Sequence, residues 1–427
     1  MVTEYQKPTF KVTEIGLLPK EWSISYLSTS CLLITDGSHY SPLEFENGTK
    51  FIATVYNMGE NKIDVDSCKR ISDKDYETLV RNGCKPVEGD VLFSKDGTVG
   101  ICFPFNQKSD LVLLSSIAIL RPKKILDPTF VSQYLKSDFG KKQVIGLKTG
   151  TALSRITLEK LKYIKIPIPS LPEQQKIAKI LSDTDSLIES LDKLITKKKN
   201  IKQGLMQTLL TRGIGHTKFK KTEIGEIPEE WGTAIASDIY YIVTGTTPST
   251  AVKEYWDQGK IEWFTPKDLR YVGASFSIFT SERKITEKAM TENSLTLLPL
   301  NSIVLSTRAP VGYVGINTKE ATFNQGCKGL VPKQPEIVDT RFHAFYISHI
   351  SNLLNTLSGG STFKELSKET LGNITLPLPE NGEQQEISNI LSDADKEIEV
   401  LEQKRDKYKM LKTGMMQQLL TGGIRVK

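Results

Sequence analysis

From Ile177 onward, apolar side chains recur at alternating steps of four and three residues: Ile177, Leu181, Thr184, Ile188, Leu191 and Ile195, then Leu205 and Leu209. Lys198 and Lys202 occupy the two steps between Ile195 and Leu205. The same phase returns 210 positions later in Ile387, Leu391, Ala394, Ile398, Leu401, Arg405, Tyr408, Lys412, Met415 and Leu419. This spacing predicts two long amphipathic helices, each with a coiled-coil seam of about five heptads that weakens at the same few basic positions. At ~1.5 Å per residue such a helix is roughly 60 Å long, so the two stripes are expected to bury on each other. Pro172, read as the residue just before the first helix, and the glycines of "TRGIG" and "TGGIRVK" mark the starts and stops.

The repeat is wider than the helices. "TEIGLLPKEW" at 13–22 returns as "TEIGEIPEEW" at 222–231, and "VLFSKDGTVG" at 91–100 returns more loosely as "IVLSTRAPVG" at 303–312. Before each helix stands a strand-like, Pro-closed stretch, "YIKIPIPSLPEQQ" or "NITLPLPENGEQQ". The expected divisions are a first globular region at 1–170, a helix at 171–213, a second globular region at 214–380 and a helix at 381–427. A chain of 427 residues is too long for one core, and two copies of a ~200-residue plan fit it.

Composition narrows the class. Hydrophobic residues at 38% and charged residues at 25% describe an ordinary globular chain rather than a disordered one. The longest apolar run, "LVLLSSIAIL" at 111–120, is half of what a membrane span needs, and the start of the chain shows no apolar signal region; a cytoplasmic location is the expectation. Five cysteines without a CxxC pair suggest reduced thiols rather than a zinc site or a disulfide framework. The net charge of +6 is mild but unevenly placed: nine Lys or Arg and no acid lie between Lys193 and Lys221, and "KRDKYKMLK" runs from Lys404 to Lys412. These cations either keep helices soluble and complement their dipoles or form a phosphate-facing surface.

Catalytic signatures are missing. There is no GxxxxGK[ST] loop, no GxGxxG after a strand and no HExxH, and His39, His216, His343 and His349 are scattered. The segments "TEIGEIPEEWG", "TGTTPSTAVKEYW" followed by "IEWFTPKDL", "STRAPVGYVG" with "NQGC", and "LPLPENGEQQEISNILSDAD" with "LKTGMMQQLLTG" together resemble the specificity subunit of type I restriction–modification systems, over essentially the whole chain. The resemblance implies an α+β fold in which two globular mixed α/β target recognition domains are joined by two long antiparallel coiled-coil helices in a pseudo-twofold internal repeat. It implies a non-catalytic chain whose partners are double-stranded DNA, two methylation subunits and motor-nuclease restriction subunits. S-adenosylmethionine, ATP and magnesium then belong to those partners, with no cofactor or metal in this chain. The first segment is like the one placed directly after the central helix, which implies that the chain ends lie close together. The expected target is two short sequences in opposite orientation, separated by an unread spacer of roughly half to one turn.

Base readout needs paired donors or acceptors in loops, supported by cations. In the first region Asp36, His39 and Tyr40 in "TDGSHYSP" are candidates, although Asp36 and Ser38 also suit an ordinary turn. The matching loop offers Thr246 and Thr247, and "FTPKDL" adds Lys267. Lys95 and Asp96 align with Thr307 and Arg308, so one motif carries different chemistry in each copy. Asn324 and Gln325 suit bidentate contacts to adenine, or turn chemistry beside a glycine. Trp22, Trp231, Trp256 and Trp263 are read as packing residues. A pure scaffold, or a self-contained nuclease or methyltransferase, are the rival classes; the first leaves the divergent polar loops unexplained, the second lacks a catalytic constellation.

Overall fold

A computed structural model describes residues 9–147, 155–270, 272, 274–359 and 365–426. The chain divides into two compact units, Met1–Ser190 with Arg405–Lys427, and Leu191–Lys404. The boundaries fall inside the long helices, Leu171–Arg212 and Asn381–Leu419, so each helix gives one part to each unit. Pro172 lies in the first helical turn rather than before it, a position where the missing N–H has no intrahelical partner to lose.

The first unit has a four-stranded antiparallel sheet in the order Cys31–Asp36, Ile117–Pro122, Val91–Ser94, Cys102–Pro104. Beside it is a three-stranded sheet in which Lys50–Ala53 pairs antiparallel with Lys69–Ile71 and parallel with Leu111–Leu113. The apolar run at 111–120 therefore becomes two strands in two sheets, broken at residues 114–116. Helix Pro128–Lys136, capped by Asp127, joins a core made by Trp22, Phe93, Leu120, Phe130 and Ile177, to which Met416 and Leu419 of the second long helix and the following Leu420 contribute.

The second unit repeats the plan with one addition. Its larger sheet runs Tyr240–Thr244, Cys327–Pro332, Ile303–Ser306, Val314–Asn317, and then Ser277–Ile278 as an extra parallel edge. The three-stranded sheet sets Ile261–Phe264 against Lys284–Ile285 and, in parallel, Ala321–Phe323. Thr340–His349 takes the place of the first unit's core helix. Its His343 is fully buried, and burial pushes its pKa down to about 4. The neutral ring is held by the Tyr240 hydroxyl at 2.8 Å and the Pro377 carbonyl at 3.0 Å.

Each repeated "EQQ" has a defined task. In the first unit Glu173 is 2% exposed; it accepts the Trp22 indole N–H at 3.1 Å and two Arg425 N–H bonds at 2.6 and 2.9 Å. Gln174, also buried, donates to the carbonyls of Ile125 and Pro169 and accepts from the Asp127 amide, tying the helix start to the strand before it and to the core helix cap. In the second unit Trp231 donates to Glu383 at 2.8 Å, while Gln384 bonds Ile337, Pro379 and Asp339 in the same manner. The third partner differs: Glu383 is met by the Ile214 amide and the His216 ring, each at 2.9 Å. The expected meeting of chain start and chain end is realised in the first unit, where Arg425 also reaches Glu21 at 2.6 Å.

All the predicted seam residues are buried or half-buried. Ile177, Leu181, Ile387 and Leu391 are fully buried, whereas Ile188, Leu205, Leu209, Leu401, Tyr408 and Met415 are partly covered. Where the seam turns basic, it turns to ion pairs. Lys412 meets Asp185 at 2.5 Å in the first unit, and Lys202 meets Asp395 at 2.5 Å in the second, the same pair in the two copies. Lys198 and Lys199 add Glu397 and Glu402 at 2.7 and 2.6 Å. Within each unit the pairing runs antiparallel. Of the two readings of the basic runs, these four lysines follow neither: they bind the partner helix.

Replacing Arg425 by Met strands a buried carboxylate and should destabilise the first unit by ~3–5 kcal/mol in denaturant unfolding, with little change in the second. The His216 clasp should respond to pH. Desolvation opposes its charge, but the hydrogen bond and charge of Glu383 with those of Glu230 outweigh it and raise its pKa. Its contribution is complete below the unfolded value of 6.5 and is lost as pH rises through the higher folded value. A stability profile of the second unit should therefore fall over that window in the native chain and flatten in His216→Gln.

Candidate nucleic-acid interface

In each unit three loops converge on one tetrapeptide. In the first it is Leu113–Ser116, the last residue of one strand of the apolar run and the break before the next. Ser38 donates its amide to the Leu113 carbonyl, Leu114 to Ala53, and Lys95 to Ser116, while the Ser116 hydroxyl accepts from the Val55 amide. The loops 37–40, 54–57 and 94–100 are thus anchored side by side. In the second unit residues 323–326 serve the same purpose: Thr246 bonds Phe323, Asn324 bonds Phe264, and Thr307 and Arg308 bond Gly326. The close approach is why both first loops open on glycine. A Cβ on Gly37 would lie 2.1 Å from the Leu113 carbonyl oxygen, and one on Gly245 would lie 2.1 Å from that of Asn324.

The middle loop is a single helical turn in both units, and in both it is closed by a capping box. Thr54 and Asn57 form it in the first, Thr265 and Asp268 in the second. This pairing escapes a comparison of residue identities because only the threonine is shared.

The first unit gathers four of its five candidates. Lys95, 2% exposed, lies 3.1 Å from Asp36 and 3.3 Å from Asp96; His39 approaches Asp36 at 3.5 Å from the solvent side. Arg155, absent from the sequence-based set, completes the group by pairing with Asp96 at 3.0 Å. Tyr40 stands apart, 64% exposed, its backbone held by the Ser38 hydroxyl. Burial corrects the reading of Lys95 as a DNA contact: its ammonium neutralises Asp36 from inside.

In the second unit the polarity is reversed. Arg308 pairs with Glu365 at 3.0 Å where Asp96 pairs with Arg155, and the buried Lys328 reaches Glu365 at 3.5 Å. Thr307 is fully buried, its hydroxyl bonded to Gly326, and so is a turn residue rather than a reader. Asn324 turns its side-chain oxygen to the Gly326 amide at 3.0 Å, the turn chemistry of the two alternatives, and leaves the neighbouring Gln325 exposed. Thr246 is exposed and Thr247 half-buried. Lys267, exposed on the capped turn, pairs with Glu282 at 2.6 Å. The loop carrying Thr246 is pinned by both tryptophans: Trp263 donates to the Thr246 carbonyl at 3.0 Å and Trp256 to that of Ser249 at 3.1 Å. Arg283 lies over the Trp256 ring at 3.6 Å. The packing reading of these tryptophans therefore holds, with an added role in shaping the loop.

Nothing in these clusters is built for bond chemistry. Among the described residues no group of three or more His, Cys, Asp or Glu is arranged to hold a metal ion. The thiols of Cys31, Cys68 and Cys102 are pushed up to about 12, chiefly by burial, far from a reactive thiolate. What the geometry offers is two corners of anchored loops that carry different polar tips.

Comparison with known proteins names the class. The model of the type I restriction modification DNA specificity domain matches residues 41–202 and again 228–409. The chain belongs to this family. It is 31% identical over 440 residues to a putative type I restriction enzyme MjaX specificity subunit of Methanocaldococcus jannaschii, covering 99% of this chain and 98% of that one. It is 43% identical over 183 residues to the MjaIX specificity subunit of the same organism, covering 43% and 42% of the two chains. The fold is shared with the crystal structure of the S subunit of a type I restriction–modification system from M. genitalium, at a TM-score of 0.60 and 15% identity over 97% of this chain and 98% of that one. As a specificity subunit, the protein is the DNA-recognition component of a type I system and not its catalyst.

The burial of Lys95 predicts a contrast between neighbours. Lys95→Met should cost ~3 kcal/mol or more by leaving Asp36 without its inner cation, whereas Arg155→Ala, at an exposed pair, should change stability by less than ~1 kcal/mol. Equal losses in thermal unfolding would contradict this assignment.

Proposed function

We propose that each unit reads one half of a bipartite DNA target through the loops gathered at residues 113–116 and 323–326, and that the long helices dock two methylation subunits and set the unread spacer. The observation that carries this reading is duplication with divergence. Three backbone anchors repeat, those of Ser38, Leu114 and Lys95 in Thr246, Asn324 and Thr307, while the tips they carry change from Tyr56 to Lys267 and from Asp96 to Arg308. A scaffold without DNA contacts has no use for such variation at conserved geometry.

S-adenosylmethionine, ATP and magnesium belong on this reading to the methylation and restriction subunits. The location is the cytoplasm, where the DNA is; among the described residues no helix is long and apolar enough to cross a membrane.

Exchange of residues 24–165 for the matching segment of a relative should alter one half of the methylated sequence and leave the other intact, as read by methylome sequencing of cells that also express the methylation subunits. Loss of both halves together would show that specificity is shared between the units. Arg308→Ala should cost ~1–3 kcal/mol of discrimination at one base pair of the second half if it reads a guanine. Inserting four residues near Thr196, ~6 Å of helix, should lengthen the preferred spacer by one or two base pairs.

A further inference from the structure

We infer that Tyr56 is a specificity-determining residue of the first half-site, contacting a base edge through its ring from the position that Lys267 occupies in the second unit. The inference rests on the bipartite reading above.

Three observations place it. The turn Val55–Asn57 is locked rather than loose: Thr54 accepts from the Tyr56 amide, Asn57 accepts from the Thr54 amide at 2.8 Å, and the Asn57 side-chain amide is in turn held by Ser67. The turn is attached to the recognition corner, since the Val55 amide is bonded by the same Ser116 whose carbonyl holds Lys95, and Gly97 lies against the Val55 side chain. On this fixed mount the Tyr56 side chain is 94% exposed. A lone exposed aromatic is ordinary on a protein surface. One whose backbone is fixed by a capped turn, itself anchored to the segment that holds Lys95, has the backbone part of its ordering entropy already spent and is suited to binding.

The second unit supplies the independent support. Thr265 and Asp268 reproduce the capping box, Pro266 lies near Gly326 where Val55 is hydrogen-bonded to Ser116, and the residue at the position of Tyr56 is Lys267. One mount therefore displays an aromatic ring in the first unit and a cation in the second. The end of the first loop and the segment after it add exposed apolar surface in the first unit, at Tyr40, Leu43 and Phe45. Apolar side chains in the major groove read the thymine methyl group, and a lysine reads guanine O6 and N7. The first half-site is thus expected to carry a thymine, on either strand, at the base pair facing Tyr56.

The test is methylome sequencing of cells expressing the complete complex with its methylation subunits. The variants are Tyr56→Ala and Tyr56→Lys, with thermal unfolding measured alongside. Because the side chain is exposed, neither variant should shift unfolding. Tyr56→Ala should relax one A·T position of the first half on the order of tenfold and leave the second half unchanged. Tyr56→Lys should move the preference at that position toward G·C. An unaltered first half, or an equal loss of methylation at all sequences as from a phosphate contact, would overturn the assignment while leaving the bipartite reading in place. The absence of any bipartite pattern from the native complex would instead remove that reading, and this inference with it.

Discussion

A carboxylate withdrawn from water in the first turn of a helix needs partners, and the partners that the buried Glu173 and the half-buried Glu383 take organise each unit around them. Removing such a charge from water costs several kcal/mol, recovered only when donors surround it. In both units one donor is a tryptophan indole, Trp22 or Trp231, which ties the repeated "EW" segment to the helix start. The remaining donors come from the segment directly after the other helical copy: Arg425 in the first unit, the Ile214 amide and His216 in the second. The clasp thus closes each unit on chain from two distant places in the sequence. Because one copy uses a guanidinium and the other an imidazole, only the second is sensitive to pH near neutrality.

The recognition corners depend on the same economy of anchors. Backbone bonds to the end of one strand and the three residues before the next place three loops within reach of one another, and because most of those bonds use amides and carbonyls, the side chains are left free to vary. The reversed pair, Asp96 with Arg155 against Arg308 with Glu365, shows what that freedom permits. The ion pair is retained at the same place while the residue types at its two ends are exchanged. Specificity can then diverge without a change of fold, which suits a subunit whose partners act on whatever DNA it selects.

Some of this was legible from residue patterns because the physical cause was local. A seam with steps of three and four has only one regular structure that puts it on one face, and both helices are found where the periodicity placed them. The repeated "EQQ" and "EW" signalled a shared plan, although not that Glu173 and Trp22 are bonded across 151 positions. The basic runs misled in part because charge on a helix says nothing about which side a second helix occupies. Lys202 and Lys412 fall in the phase of the seam, yet only the structure sets Asp395 and Asp185 opposite them.

The sequence by itself determined the duplication, the helical seams and the family, since each depends on spacing along the chain. Tertiary structure alone decided which candidates reach the surface. Lys95 and Thr307 sit in loops of the right composition, yet one is an internal counter-ion and the other a buried turn hydroxyl. Tyr56 carries no motif, yet it stands exposed on a capped turn at the recognition corner. Burial depends on contacts between strands remote in sequence, and a hydroxyl or an ammonium has the same letter whether it faces water or a carboxylate.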